Sequence, residues 1–170
     1  MNPFRQQFRA DSSWHPVGLA SSFPDLDLDK DAYRIAPRCK AFRIPTTKAK
    51  APEAPMEADI DQPGDLKEQV LVFNYKGQFH AVDHQCPHSS FPLSQGNVFD
   101  IEDFGITLSA GITCPKHEWS FDIFSGQADR GNYKLKVWEV QLREPRVSST
   151  DGSPEGDDKE VWVRRKQRIG

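Results

Sequence analysis

The chain is short of cysteine, of hydrophobic residues and of any long apolar run. Its 170 residues include three cysteines, Cys39, Cys86 and Cys114. An odd thiol count points away from a disulfide-built scaffold and towards metal or redox chemistry. The opening "MNPFRQQFRADSSWHP" lacks the apolar stretch of a secretory signal. Arg5 and Arg9 faintly suggest a transit peptide, which Asp11 and the missing Ser-rich pattern argue against. No apolar run approaches the roughly 18 residues of a membrane span. With 22 Lys and Arg against 25 Asp and Glu, the net charge of −3 lacks the basic excess that nucleic acid selects. No Gly-x-Gly-x-x-Gly is present to hold a dinucleotide. No repeat of solenoid length and no long helical stripe appear either. What remains is a chain about one domain long, able to bury a core although only 36% of it is hydrophobic.

Short strands and turns fill that space. "QVLVFNY" (69–75) is apolar and β-favouring, Lys76-Gly77 makes a turn, and "QFHAVD" (78–83) is the return strand. "KLKVWEVQLR" (134–143) reads as a further strand, with a shift of apolar phase near Val137–Trp138 that suggests a β-bulge. "KEVWVRR" (159–165) reads as a closing strand. Residues 46–65 and 148–158, rich in Pro, Gly, Ala and charge, read as exposed insert loops. The fold class is all-β, a small antiparallel sandwich or barrel.

The chemistry gathers in two stretches. "HQCPHSSFPLSQG" (84–96) holds Cys86-x-His88, and "ITCPKHEWSFDIFSG" (112–126) holds Cys114-x-x-His117. Pro87 and Pro115 follow the two cysteines and fix φ, which helps a tight loop aim two ligands at one point. Two thiolates and two imidazoles could bind zinc tetrahedrally. They could equally bind a two-iron, two-sulfur cluster, both cysteines on one iron and both histidines on the other. Spacing alone leaves both open.

The flanking residues resemble the Rieske iron–sulfur family. "CPHSSFPLSQG" and "CPKHEWSFDIFSG" are similar to its Cys-Pro-His…Pro-Leu-Ser-x-Gly and Cys-Pro-x-His-Gly-Trp-x-Phe-Asp…Gly patterns. The resemblance extends to "WHPVGLASSFPD" (14–25) as an opening strand and to the hairpin "YKGQFHAVDHQC". It implies a Rieske-type antiparallel β-sandwich with a small cluster-binding subdomain, about 84–126, formed by two loops. The domain would span 14–165, between an N-terminal extension (1–13) and a C-terminal tail (166–170). One [2Fe-2S] cluster is implied, with Cys86 and Cys114 on the inner iron and His88 and His117 on the outer iron. The outer ring nitrogens of both histidines would face solvent. Replacing two thiolates by neutral imidazoles raises the potential above that of an all-cysteine cluster. The respiratory branch of the family has a further disulfide, whose cysteines would fall at Phe91 and Lys116. It also has a Ser and a Tyr hydroxyl where Trp119 and Phe121 stand here. These differences imply a low-potential cluster of the oxygenase-ferredoxin kind.

Departures from the family pattern matter too. Glu118 stands where Gly is usual, either as a solvated side chain on a turn or as a carboxylate that lowers the potential through a ligand histidine. Residues 97–110 are longer than usual, either a docking patch for a basic reductase or a longer hairpin. "QADRGNYK" after Gly126 has no proline, so no Pro-rich cover over the cluster is expected there. Cys39, His15, His80 and His84 fall outside the ligand pattern and read as structural. Trp119, Phe121 and Phe124 read as core and cluster packing, and the final "RRKQR" as a solvated basic tail. The histidines left over lie upstream of the second loop, and no large catalytic domain is expected to follow. The reading is a non-catalytic, soluble, cytoplasmic, monomeric ferredoxin carrying one electron between a reductase and a terminal oxygenase or similar acceptor. No membrane or nucleic-acid partner is expected. The alternatives are a small or auxiliary subunit of a larger oxidoreductase, nitrite-reductase small-subunit-like, and a structural Cys2His2 zinc module.

Overall fold

The computed structural model describes residues 14–28, 34–44, 55–61, 64–145 and 158–166. Strand β4 (Gln69–Tyr75) runs through its centre, and its first five residues are all buried. A strand covered on both faces reads as a continuous apolar run rather than an alternation. The other strands are β1 (His15–Leu19), β2 (Lys40–Arg43), β3 (Met56–Ala58), β5 (Gln78–Asp83), β6 (Asn97–Asp103), β7 (Ile106–Thr113), β8 (Ser120–Asp122), β9 (Trp138–Arg143) and β10 (Glu160–Arg165). They form three sheets, ordered β1-β10-β9, β3-β2-β4-β5 and β6-β7-β8. Every ladder is antiparallel.

The two faces of β4 serve two cores. Val70 and Val72 pack with Val17, Trp138, Val161 and Val163 of the β1-β10-β9 sheet. Leu71 and Phe73 pack with Ala110, Ile112, Phe121 and both Cys86 and Cys114. Successive side chains on a strand point to opposite faces, so β4 joins the scaffold core to the cysteine-bearing core. Each of these fully buried side chains contributes roughly 1.5–3 kcal/mol of burial free energy. The β4–β5 turn has Lys76 at φ 53° and Gly77 at φ 76°, the double-positive form that two-residue hairpins favour. Phe104 and Gly105 repeat it between β6 and β7.

The all-β antiparallel expectation is met, with local corrections. The cluster-binding part is more than two loops: it has the β6-β7-β8 sheet beneath them. Within the expected insert 46–65, Met56–Ala58 pairs with β2 as an edge strand and Ile60 packs on the core, while 46–54 and 62–63 lie outside the described residues. Of the insert 148–158 only Asp158 is described, and its carboxylate accepts from the Ser21 amide at 3.0 Å and hydroxyl at 2.6 Å. The opening stretch 14–25 is a strand only over His15–Leu19 and then makes a 3-10 turn at Ala20–Ser22. The strand expected over 134–143 begins at Trp138. Its phase shift marks a change of sheet rather than a bulge: Val137 bridges to Val82 of β5, and Trp138 pairs with Arg165 of β10. Arg164 and Arg165 belong to β10 rather than to a solvated tail. Arg164 pairs with Glu139 at 2.6 Å and lies 4.5 Å over Trp14; Arg165 lies 4.4 Å over Trp138. No helix among the described residues is long and apolar enough to cross a membrane.

Candidate metal centre

The first ligand loop starts from a locked residue. His84 is fully buried, its Nδ1 2.9 Å from Gln69 Oε1 and its Nε2 2.8 Å from Ser94 Oγ. Gln69 Nε2 donates to the Asp65 carbonyl at 2.9 Å, so its oxygen faces the ring. His84 is therefore the Nδ1–H tautomer, accepting from Ser94. Burial holds its pKa down to about 4, which keeps the ring neutral. It is a structural residue, as is Cys39, buried in the core and pushed up to about 12.

The two loops close in the same way. The Cys86 amide donates to Phe91 O and the Ser90 amide to Cys86 O, both at 2.9 Å. The Cys114 amide donates to Trp119 O at 2.8 Å and the Glu118 amide to Cys114 O at 2.9 Å. Ser90 and Glu118 both sit at φ 60°. Each loop is one hairpin tip turned through a left-handed residue, and the histidine stands at its third position in the first loop and its fourth in the second. Gly would take that φ without strain, whereas a side chain there costs about 1 kcal/mol or more. Glu118 itself is exposed.

The four candidate ligands come together as two pairs. Cys86 and Cys114 are buried, and their thiols are in contact. Burial raises the Cys114 thiol and Cys86 raises it further; the Ser89 hydroxyl, 3.3 Å from Cys114 Sγ, works against both. The His88 and His117 rings have centroids 5.1 Å apart at 73°. His88 Nδ1 is buried without a hydrogen-bond partner. A buried polar atom left so is costly, and a metal is one group that satisfies it. Two adjacent thiols and two adjacent imidazoles with an orphan nitrogen fit a two-iron cluster with unlike ends. Among the described residues no three His, Cys, Asp or Glu side chains close on one point as a lone ion requires.

The two imidazoles are unequally covered. His117 is exposed beside Pro115 and Lys116. His88 is half-buried, with Trp119 stacked on it at 3.9 Å and 8° and Tyr133 edge-on at 5.2 Å. Arg130 lies 5.7 Å over Trp119, and a Cβ on Gly131 would meet the indole at 3.0 Å. The segment after Gly126 therefore does cover the site, by Tyr133 rather than proline. Phe121 is core as expected, but Phe124 is 44% exposed, its ring T-shaped to His80 at 5.0 Å. Residues 97–110 belong to the β6–β7 hairpin, where Asp100 accepts from Tyr75 at 2.8 Å and is paired with Lys76.

The family model of the Rieske [2Fe-2S] domain matches residues 50–140, more than half of the chain and both loops. The chain belongs to this family. A Rieske domain binds a [2Fe-2S] cluster. The ferredoxin component of the alkene monooxygenase system of Xanthobacter autotrophicus is 34% identical over 92 residues, 54% of this chain and 67% of that one. A Rieske domain-containing protein of Homo sapiens is 39% identical over 59 residues, 35% of this chain and 34% of that one. The chain thus spans about two thirds of the first relative and a third of the second. Among solved structures, a chain of the complex of reduced oxygenase and oxidized ferredoxin in carbazole 1,9a-dioxygenase has a TM-score of 0.50 at 19% identity, over 94% of this chain and 99% of that one. A protein described as the small subunit of an NADH-dependent nitrite reductase from Mycobacterium tuberculosis has a TM-score of 0.51 at 16% identity, over 91% and 96%. These likenesses show the Rieske fold. Ser89 and Tyr133 are the site residues that motif reading misses. A hydroxyl next to a ligand histidine is a usable signal for Ser89, and the sequence holds none for Tyr133.

Proposed function

We propose that this chain is a Rieske-type ferredoxin, in which Cys86 and Cys114 hold one iron and His88 and His117 the other. The domain is taken as 14–165, because β1 and β10 pair the two ends of that span. The observation that carries the reading is the pairwise donor set, with buried adjacent thiols and a buried unpartnered His88 Nδ1. When bound, the cluster supplies reversible one-electron exchange. The protein's part is to hold it and to set which edge meets a partner. Trp119 and Tyr133 cover part of His88, so His117 is the more exposed of the two edges. Trp119 and Phe121 offer no hydroxyl, which favours a low potential, while Ser89 Oγ beside one sulfur offsets that in part. The partners proposed are a reductase and a terminal oxygenase or similar acceptor, with the chain acting as a monomer in the cytoplasm and performing no substrate chemistry of its own.

The test is metal and sulfide analysis with an electron-paramagnetic-resonance spectrum of the reduced protein. Two irons and two acid-labile sulfides, with the signal lost in Cys114→Ser, are expected. A colourless protein with one zinc overturns the reading. A second reading, an auxiliary subunit of a larger oxidoreductase, draws on the nitrite reductase of Emericella nidulans, 35% identical over 63 residues and 5% of that protein. A stable co-purifying catalytic chain would favour it.

A further inference from the structure

The segment that lays Tyr133 against His88 continues into a second feature. Beyond Tyr133 it forms one side of an open cleft of about 490 Å³, and the end of β10 forms the other. Lys134, Lys136, Arg165 and Lys166 line the cleft over Val137 and Trp138, and no acidic side chain lines it. In a chain of net charge −3 this is a local inversion of sign. Among the described residues, Lys134, Lys136 and Lys166 take part in no ion pair. Asp83, mostly buried, interacts with Arg165 and Lys136, and its Oδ1 accepts from Trp138 Nε1 at 2.8 Å. The described lining residues carry four cations and no carboxylate, a surplus of positive charge.

The form of the cleft says what it suits. Leu135 is buried while Lys134 and Lys136 are exposed, so the two lysines stand on the same side of an extended segment. Arg165 and Lys166 face them from the other element. The cations are spread along a trough rather than converged on a point, which matches an extended acidic chain better than a single phosphate. Val137 and Trp138 give that chain an apolar surface beneath the charges.

We propose that this cleft docks an acidic segment of a redox partner, anchoring the partner on the segment that also carries Tyr133. The proposal rests on the ferredoxin reading and assigns the partner's chemistry: an acidic, extended stretch rather than the basic surface that an acidic 97–110 patch would select. Complementary charge of this kind steers encounter and fixes orientation.

The test uses the cluster-loaded full chain, labelled with 15N and titrated at low salt with deca-glutamate, deca-lysine or inorganic pyrophosphate. Deca-glutamate is expected to shift the amides of residues 134–138 and the Trp138 indole, with deca-lysine inert. The variant K134E/K136E should weaken binding about tenfold or more while leaving the visible spectrum unchanged. Shifts scattered over all exposed basic residues, insensitivity to that variant, or tighter binding of pyrophosphate than of deca-glutamate would overturn the proposal. The visible spectrum reports the cluster separately. Lost peptide binding on a loaded protein defeats the cleft alone, and a protein that never holds iron defeats the ferredoxin reading whatever the peptide does.

Discussion

At Ser89 a hydroxyl 3.3 Å from Cys114 Sγ must donate once that sulfur is a thiolate, because a thiolate has no proton to give. Such a bond favours the more negative, reduced state. Ser89→Ala should therefore lower the midpoint potential by about 40 mV, the equivalent of one ordinary hydrogen bond for a one-electron couple, read by redox titration. Glu118, left-handed at φ 60°, offers a stability test. Glu118→Gly should raise Tm by a few degrees through relief of about 1 kcal/mol of backbone strain, and a lower Tm would mean the carboxylate has a stabilising contact. His80 gives a pH test away from the ligands. It stacks on Phe73 at 5.6 Å, and burial depresses its pKa from 6.5 to about 4. The unfolded chain then binds the extra proton first, so stability is level above about pH 6.5 and declines as pH falls towards 4, by up to about 3 kcal/mol. His84, held down to about 4 as well, adds a like slope, so His80→Phe should roughly halve the total in urea melts across pH 4–7. Of these three residues only Glu118 stood out in the sequence, as a departure from a pattern. The roles of Ser89 and His80 depend on neighbours far along the chain, which spacing does not reveal.

At the scale of elements, Gly96 shows how the two ligand loops are held together. A Cβ there would lie 2.2 Å from the Thr113 carbonyl, backbone that cannot move aside, so the exit of the first loop lies directly against the start of the second. Gly96→Ala should cost about 3 kcal/mol or more and reduce iron content on purification, whereas Gly64→Ala, uncrowded but left-handed at φ 71°, should cost only about 1 kcal/mol and leave the iron content unchanged. The β4–β5 hairpin was readable, because its turn chemistry and apolar pattern are local, and β6–β7 was one of two readings of residues 97–110. The third sheet was not, because β8 is only three residues long and its pairing with β7 is made through the loop it closes. The segment 134–143 misled for a related reason: its apolar residues serve two sheets in succession, and a periodicity argument assumes one.

For the whole molecule, the cysteines belong to the same core as Leu71, Phe73 and Phe121, so holding the cluster and packing the centre are one task. Removing the iron and sulfide should lower Tm by roughly 5–10 °C while leaving the far-ultraviolet β signature in place, since the β1-β10-β9 core is separate. An unchanged Tm would mean the site is preformed at no cost. The twinned loops carry one further implication, for redesign. Because both tips close through the same pair of backbone bonds and the same left-handed residue, they are interchangeable parts that differ in where the imidazole is mounted. Exchanging Lys116 and His117 would give the second tip the spacing of the first. Such a chain would be a near-symmetric holder, able to report whether the unlike exposure of the two histidines is set by where they are mounted or by the indole laid across one of them.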